Sequence, residues 1–389
     1  MTSLTSAPHH EEAAPVGGRL WTPFAGALVA LIAVMVAVLF VRFAHGLAAS
    51  TNMSDGYPWG IWIAFDVVVG SALGAGGFAV AFLTYILNRG EYHPIFRPAL
   101  LAALFGYVQA SISVFFDIGR YWEFWHLFAP KYAQVNSALF EVAVCIAAYT
   151  LVLFIEFLPI VMERMGWESP RRKLNRVLFI FIALGVLLPT MHQSSLGTVL
   201  VVFGPQVHPL YQTNFLPFLF LISCIGMGMA AVVVEGTTSS LAFRRPLERV
   251  LLGKLMRVGI VLSAIFLVVR IGDVIVRGAL PTAFEPTWPA LFFWIENLLF
   301  AIPIVLLFSA QARLRAQRLF LGGVSLAVAG IIYRLAAYLI AYNTGAGWHY
   351  FPSMGELMVT LGLVAFEILA ITFAIRLLPI LPKHKEAHQ

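Results

Sequence analysis

The sequence predicts an all-α integral membrane protein of about ten transmembrane helices, and three observations carry that expectation. Of its 389 residues, 60% are hydrophobic and only 11% charged, against roughly a quarter charged in soluble domains. Apolar runs of about 20 residues, the length that crosses roughly 30 Å of hydrocarbon at 1.5 Å per residue, recur along nearly the whole chain. Within those runs polar residues do not alternate at every second position, which excludes a membrane β-barrel.

The spans fall at roughly 21–47, 61–87, 98–121, 137–161, 175–199, 213–241, 251–277, 289–311, 319–342 and 354–380. Turn and breaker signals separate them, among them Asp55-Gly56-Tyr57-Pro58, His93-Pro94, Ser169-Pro170, Gly204-Pro205 and Arg245-Pro246. Ala48 and Ala49 follow the first span as they would a signal peptide. Its apolar run is too long for that and its flank too weakly basic, so a retained helix is expected. Residues 1–20, with His9, His10, Glu11 and Glu12, read as a disordered tail, 21–382 as one transmembrane domain, and 383–389 as a second tail.

Lys and Arg crowd one set of alternate loops, including Arg89, Arg97, Arg164, Arg171, Arg172, Lys173, Arg244, Arg245 and Arg313, while the opposite loops hold only Lys131 and Arg277. The positive-inside rule then places both termini in the cytoplasm. The net charge of +6 is dispersed over these loops, so it is topological and no nucleic-acid partner is expected.

Cys145 and Cys224 fall inside apolar runs without metal-ligand spacing and read as packing residues, so no iron-sulfur cluster is expected in this chain. A b-type haem takes two axial ligands from within helices, and only His45 and His192 fall near spans. Two stacked haems are thereby excluded and no haem is expected.

A short internal repeat relates Asp117-Ile118-Gly119-Arg120, with Glu141 beyond it, to Arg270-Ile271-Gly272-Asp273, with Glu296 beyond it. It suggests two related four-helix bundles, about 61–200 and 213–342, with one flanking helix at each end. Gly70, Ser71, Gly74, Gly76 and Gly77 in the second helix read as close-packing positions.

Charges inside a bilayer cost at least about 2.5–3.5 kcal/mol each, so every one needs a partner or a task. The three-residue spacing suits Arg270 to pair with Asp273 and Asp117 with Arg120. Asp66 lies about two turns inside Trp59 and Trp62, as a carboxylate suited to exchange protons near neutral pH. Glu141 has no basic residue at helical spacing and is the foremost candidate for proton handling; Tyr107, Gln109, Glu156 and Glu235 extend a polar path inward. The run Pro189-Thr190-Met191-His192-Gln193-Ser194-Ser195 reads as the end of the fifth helix, with His192 placed to hydrogen-bond a quinone carbonyl and Gln193 to help orient the ring.

The stretches Gly56-Tyr57-Pro58-Trp59-Gly60-Ile61-Trp62, Asn88-Arg89-Gly90-Glu91-Tyr92-His93-Pro94 and Asp117-Ile118-Gly119-Arg120-Tyr121-Trp122 resemble the NrfD-like polysulfide reductase membrane subunits. With Asn136 to Glu141, Pro189 to Ser195 and Arg376 to Pro382, the resemblance narrows to the HybB-type membrane subunits of nickel-iron hydrogenases, over roughly residues 45–382.

The resemblance implies a haem-free, quinone-reactive subunit of the bacterial inner membrane. It also implies a periplasmic ferredoxin-like iron-sulfur partner, which relays electrons from hydrogenase small and large subunits to menaquinone or ubiquinone. In that reading Arg120, Tyr121, His192, Gln193 and Trp59 line the headgroup site among the second to fifth helices, and Asp66, Asp117, Glu141, Glu235 and Tyr107 handle protons. The competing readings are a secondary transporter, whose repeats and midplane charges look much the same, and a passive membrane anchor.

Overall fold

The computed structural model describes residues 13–345 and 347–382. Among them ten helices are long and apolar enough to cross a membrane: α1 Pro23–His45, α2 Trp62–Ile86, α3 Gly90–Asp117, α4 Ala138–Met165, α5 Leu178–Gln206, α6 Leu216–Ala242, α7 Arg249–Val276, α8 Trp288–Leu306, α9 Ala316–Ile340 and α10 Met354–Leu377. The even count returns both ends of the described stretch to one face. There Ala13–Ala14 pair antiparallel with Leu381–Pro382, and Val16 N–H bonds the Ile375 carbonyl.

The disordered tail expected over residues 1–20 is corrected accordingly. Ala13, Ala14, Val16 and Gly17 are fixed by backbone pairing to residues 375–382; residues 1–12, with His9, His10, Glu11 and Glu12, and the second tail at 383–389 lie outside the described residues.

The face with the loops 46–61, 118–137, 207–215, 277–287 and 341–353 is rich in aromatics, and the opposite face is rich in arginine. We refer to them as the aromatic and the basic face.

Local chemistry sets the helix ends. Thr22 Oγ1 accepts from Ala25 N–H at 3.2 Å ahead of Pro23, and Gly46, at φ 91°, stops α1. Ser353 and Glu356 cap α10 reciprocally: Ser353 Oγ accepts from Glu356 N–H and the Glu356 carboxylate accepts from Ser353 N–H. Glu356 also accepts from Asn52 N–H at 2.9 Å and the Tyr350 hydroxyl at 2.6 Å, tying the loop after α1 to the start of α10. Tyr350, in the loop before α10, is held well above the usual phenol range by burial first and by that bond second, so it stays a donor.

Neighbouring helices pack together within the groups α2–α5 and α6–α9, α5 and α2 also pack on α6, and α1 packs along α10. The groups meet where α2 crosses α6: a Cβ at Gly76 would stand 2.7 Å from the Gly228 carbonyl oxygen, so two backbones touch where lipid gives no hydrophobic drive. Helix α2 is irregular, with π-helical turns at Trp62–Val67 and Phe82–Ile86, and Asp66 sits in the first of them.

Three span boundaries differ from expectation for identifiable reasons. The α-helical part of α3 begins at His93, with Pro94 in its first turn, where a missing N–H costs nothing, and Pro98 already inside the helix one turn further on. The α-helix of α5 runs to Phe203, past the polar run expected to end it, because Thr190, Ser194, Ser195 and Thr198 each bond the carbonyl four residues back. Helix α8 stops at Leu306, after Pro303.

Candidate functional site

Polar side chains collect at five depths between the faces. At the aromatic face, the segment Tyr121–Phe128 and the start of α4 bound a cleft of about 410 Å³ lined by Ile118, Arg120, Glu123, His126, Tyr132 and Ser137. His126 stacks on Tyr132 at 4.0 Å, and Arg120 pairs with Glu123 at 3.8 Å with 77% of its side chain exposed. Glu141 is half-buried in the first turn of α4, next after the lining residue Phe140, and makes no ion pair among the described residues. The expected Asp117–Arg120 pair does not form, because Arg120 leaves the helix end and turns toward Glu123.

Just below lies Arg42, buried at the end of α1. Its Nε donates to the Phe116 carbonyl at 2.9 Å and its Nη2 to the Ile118 carbonyl at 2.5 Å, satisfying backbone acceptors at the C-terminus of α3. Asp117 lies within reach of its charge. Sequence reasoning missed Arg42 as a flank of the span; an arginine inside an otherwise apolar run was the available signal. Tyr121 packs edge-on against Phe43 at 4.9 Å, outside the cleft lining, so its ring braces α1.

One level deeper, Asp66 is fully buried. Its Oδ2 accepts from the Thr360 hydroxyl of α10 at 3.2 Å, its Oδ1 has no protein partner, and Gln109 and Ser113 of α3 lie beside it. Trp59 is also buried, but its indole N–H bonds the Tyr338 carbonyl at 2.9 Å and its ring meets Phe203, Tyr338 and Tyr342. It clamps the start of α2 to α9, away from the cleft.

The middle of the membrane holds His192 and Gln193. Both are buried and both meet Ser71 Oγ of α2, His192 Nε2 at 3.1 Å and Gln193 Nε2 at 2.9 Å. Tyr107 lies 5.9 Å from the His192 ring and 4.4 Å from Tyr149, centroid to centroid. Tyr107 is ten residues before Asp117, so this cluster sits about 15 Å beneath the end of α3. His192 and Arg120 are therefore not brought to one headgroup, contrary to the sequence-derived grouping. The reason is the continuation of α5, which places His192 near mid-helix. Ser71, read as a packing residue, is the acceptor or donor that fixes both side chains.

A family profile described as polysulphide reductase, NrfD, matches residues 49–344. This chain belongs to the NrfD family. The match takes in α2–α9 and leaves α1 and α10 outside. The NrfD-family chain is 42% identical to the probable Ni/Fe-hydrogenase 2 b-type cytochrome subunit of Escherichia coli over 96% of both chains. It is 26% identical to the integral membrane subunit of menaquinone reductase of Nitratidesulfovibrio vulgaris over 91% of this chain and 93% of that one. It is also 22% identical to one of the subunits of the selenate reductase of Mesobacillus selenatarsenatis, over 90% and 92%.

The E. coli relative's name corrects one expectation. A haem-free chain was expected from the histidine inventory; a relative this similar being named a b-type cytochrome subunit contradicts that, and the expectation is withdrawn. As to fit, among the described residues His192 is the one histidine buried within a span, and its Nδ1 has no protein partner; His45 ends α1 exposed. Two axial histidines facing one another are not assembled among the described residues, so this donor set does not fit a haem held by a histidine pair, and no step below passes through one.

In the second group of this NrfD-family chain, Arg270 pairs with Glu296 rather than with the expected Asp273. Its Nε and Nη2 donate to Glu296 Oε1 at 3.2 and 2.8 Å and its Nη1 to the Leu210 carbonyl, while the Tyr211 hydroxyl donates to Glu296 Oε2 at 2.9 Å. Asp273 instead accepts from Arg277 one turn on. Arg270 faces the neighbouring helix, while Asp273, three residues along, is covered by the Arg277 side chain.

Toward the basic face, Glu156 of α4 is buried with Oε1 lacking a protein partner and faces Gly185, while Glu235 of α6 is half-buried and lies near Glu367 of α10.

Proposed function

We propose that this chain is the quinone-reactive membrane subunit of a respiratory nickel-iron hydrogenase. It passes electrons from a ferredoxin-like iron-sulfur partner, fed by hydrogenase small and large subunits, to menaquinone or ubiquinone. The observation that carries the reading is the match to the E. coli hydrogenase 2 subunit over nearly the whole of both chains. The relationship to a menaquinone reductase membrane subunit supports the quinone as substrate. The positive-inside rule puts the basic face and both termini in the cytoplasm of a bacterial cell and the aromatic face in the periplasm.

In this reading the exposed Trp122, Phe124, Trp125 and Phe128 carry the electron-delivering partner, and the neighbouring cleft takes the headgroup. Arg120, His126 and Tyr132 offer hydrogen bonds to its carbonyl oxygens, and the bilayer edge admits its tail. Quinone reduction consumes two electrons and two protons. Glu141, beside the lining residues, hands protons to the reduced oxygen, with Asp117 and Asp66 behind it. Tyr107, His192 and Gln193 hold the polar midplane open to proton exchange.

The test is the complete complex carrying Glu141→Gln, measured for hydrogen-dependent reduction of a naphthoquinone and of a viologen dye. Quinone reduction is expected to fall about a hundredfold or more while dye reduction persists; full quinone reduction would reject Glu141 as the proton donor. Wild-type complex that reduces the dye but no quinone would reject the reading as a whole.

A further inference from the structure

Helices α1 and α10 stand outside the stretch matched by the family, yet they are wired into its polar interior. Thr360 of α10 donates to Asp66 Oδ2 at 3.2 Å. Trp62 of α2 donates its indole N–H to the Glu356 carbonyl at 3.1 Å, and Arg42 of α1 binds carbonyls at the end of α3. Glu367 lies on α10 seven residues past Thr360, therefore on the same face and about 10 Å nearer the basic side.

Glu367 is placed between two acids of the core. It lies within electrostatic reach of Asp66 on one side and of Glu235 on the other. Counted along α6, Glu235 is 19 residues from the aromatic end, and along α10 Glu367 is 13 residues from it. The depth order is therefore Asp66, Glu367, Glu235, with steps of about 10 Å. None of the three forms an ion pair among the described residues.

Glycines bring the α2 and α3 backbones together beside Glu367: a Cβ at Gly106 of α3 would stand 3.5 Å from the Gly70 carbonyl oxygen, 3.6 Å from Gly74 Cα and 3.8 Å from Glu367 Oε1, so the Glu367 carboxyl reaches the α2–α3 contact. Gln109 and Ser113 of α3 lie against the Asp66 carboxyl, and Asp66 Oδ1, Gln109 Oε1 and Ser113 Oγ are buried with hydrogen-bonding capacity left over, so this polar group joins two helices of the core. A buried polar atom left unpaired costs about 1–3 kcal/mol, so the capacity left over on Asp66 Oδ1 calls for a use.

We propose that the α1–α10 pair completes a proton lane through the family core, with Glu367 relaying protons from Glu235 to Asp66 and Thr360 fixing the Asp66 carboxylate to receive them. This rests on the quinone reading above. For each quinone reduced, two electrons arrive from the iron-sulfur partner and two protons are taken up at the reduced oxygens. Each carboxyl on the lane passes on the proton it holds and accepts the next from the basic side, so the lane itself carries no net change. Thr360 is a positioning residue; it touches Asp66, not quinone.

The experiment uses the complete complex in vesicles with the basic face toward a lumen holding a pH indicator, hydrogen as donor and 2,3-dimethylnaphthoquinone as acceptor. Glu367→Gln is expected to slow quinone reduction and lumenal proton uptake together by about tenfold or more, with viologen reduction unchanged. Thr360→Val is expected to shift the pH profile of the rate while leaving viologen reduction intact. Wild-type proton uptake in Glu367→Gln would overturn the lane.

Should the amide variant not accumulate in membranes, Glu367→Asp decides. A slower rate with an altered pH profile supports the relay, and an unaltered rate and profile overturn it. Failure of the wild-type complex to reduce the naphthoquinone would instead reject the quinone reading.

Discussion

Arg270 and Glu296 close an ion pair of 2.8 Å between α7 and α8 in which neither side chain has any exposure. Tyr211, in the loop ahead of α6, donates to the second carboxylate oxygen, and the guanidinium lies 4.5 Å from the centre of the Tyr211 ring. Every donor of the network therefore has a partner or a π face. Removing one member of such a pair leaves an uncompensated charge in low dielectric, at about 3–5 kcal/mol. Glu296→Leu is expected to lower the unfolding temperature of the detergent-purified chain sharply. Arg270→Met with Glu296→Leu should recover most of the loss; a double variant as unstable as the single one would show that packing, not charge, holds this site.

Gly228 faces Ala75 of α2 so closely that a Cβ there would stand 2.5 Å from the Ala75 carbonyl carbon. The obstacle is backbone and cannot rotate away. Gly228→Ala is expected to cost about 1–3 kcal/mol by forcing α2 and α6 apart, read as a lower unfolding temperature. Gly272→Ala, where a Cβ meets nothing within 4 Å, is the control and should leave it within error.

The ten spans were legible because a 20-residue apolar run has few other uses, and the acids stood out because lipid penalises each of them. What the sequence could not supply was which helices face one another. Three-residue spacing suggested Arg270 with Asp273, yet the pairing is decided by α7 turning Arg270 toward α8 and Glu296. The polar run around His192 reads as a helix end in one dimension. In three dimensions Ser71 satisfies two of its side chains from α2, so α5 continues past it. Arg42 and Thr360 escaped notice because their partners, carbonyls of α3 and a carboxylate of α2, lie 74 to 294 residues away.

Arg120 lines the cleft with 77% of its side chain open and a 3.8 Å pair to Glu123. An exposed ion pair contributes about 1 kcal/mol or less, so Arg120→Ala should leave the fold intact. If the cleft takes the headgroup, the variant raises KM for the naphthoquinone about three- to tenfold with kcat within a factor of two, since the lost contact serves binding in ground and transition states alike. Steady-state titration of the complex checks this. An unchanged KM would move the headgroup site away from Arg120.

Ser71 Oγ is the shared partner of His192 Nε2 and Gln193 Nε2, and a methyl in its place leaves two buried nitrogens unpaired at once. Each loss costs about 1–3 kcal/mol. Ser71→Ala is therefore expected to lower the unfolding temperature more than His192→Ala, which removes one of the dependent groups together with its need. Ser71→Thr keeps the hydroxyl but crowds an α2 position with no exposed surface, and should fall between them. The ordering separates a polar junction built around Ser71 from one built around the imidazole; if His192→Ala is the more damaging of the two alanine variants, the imidazole is the centre of the cluster and Ser71 merely its neighbour.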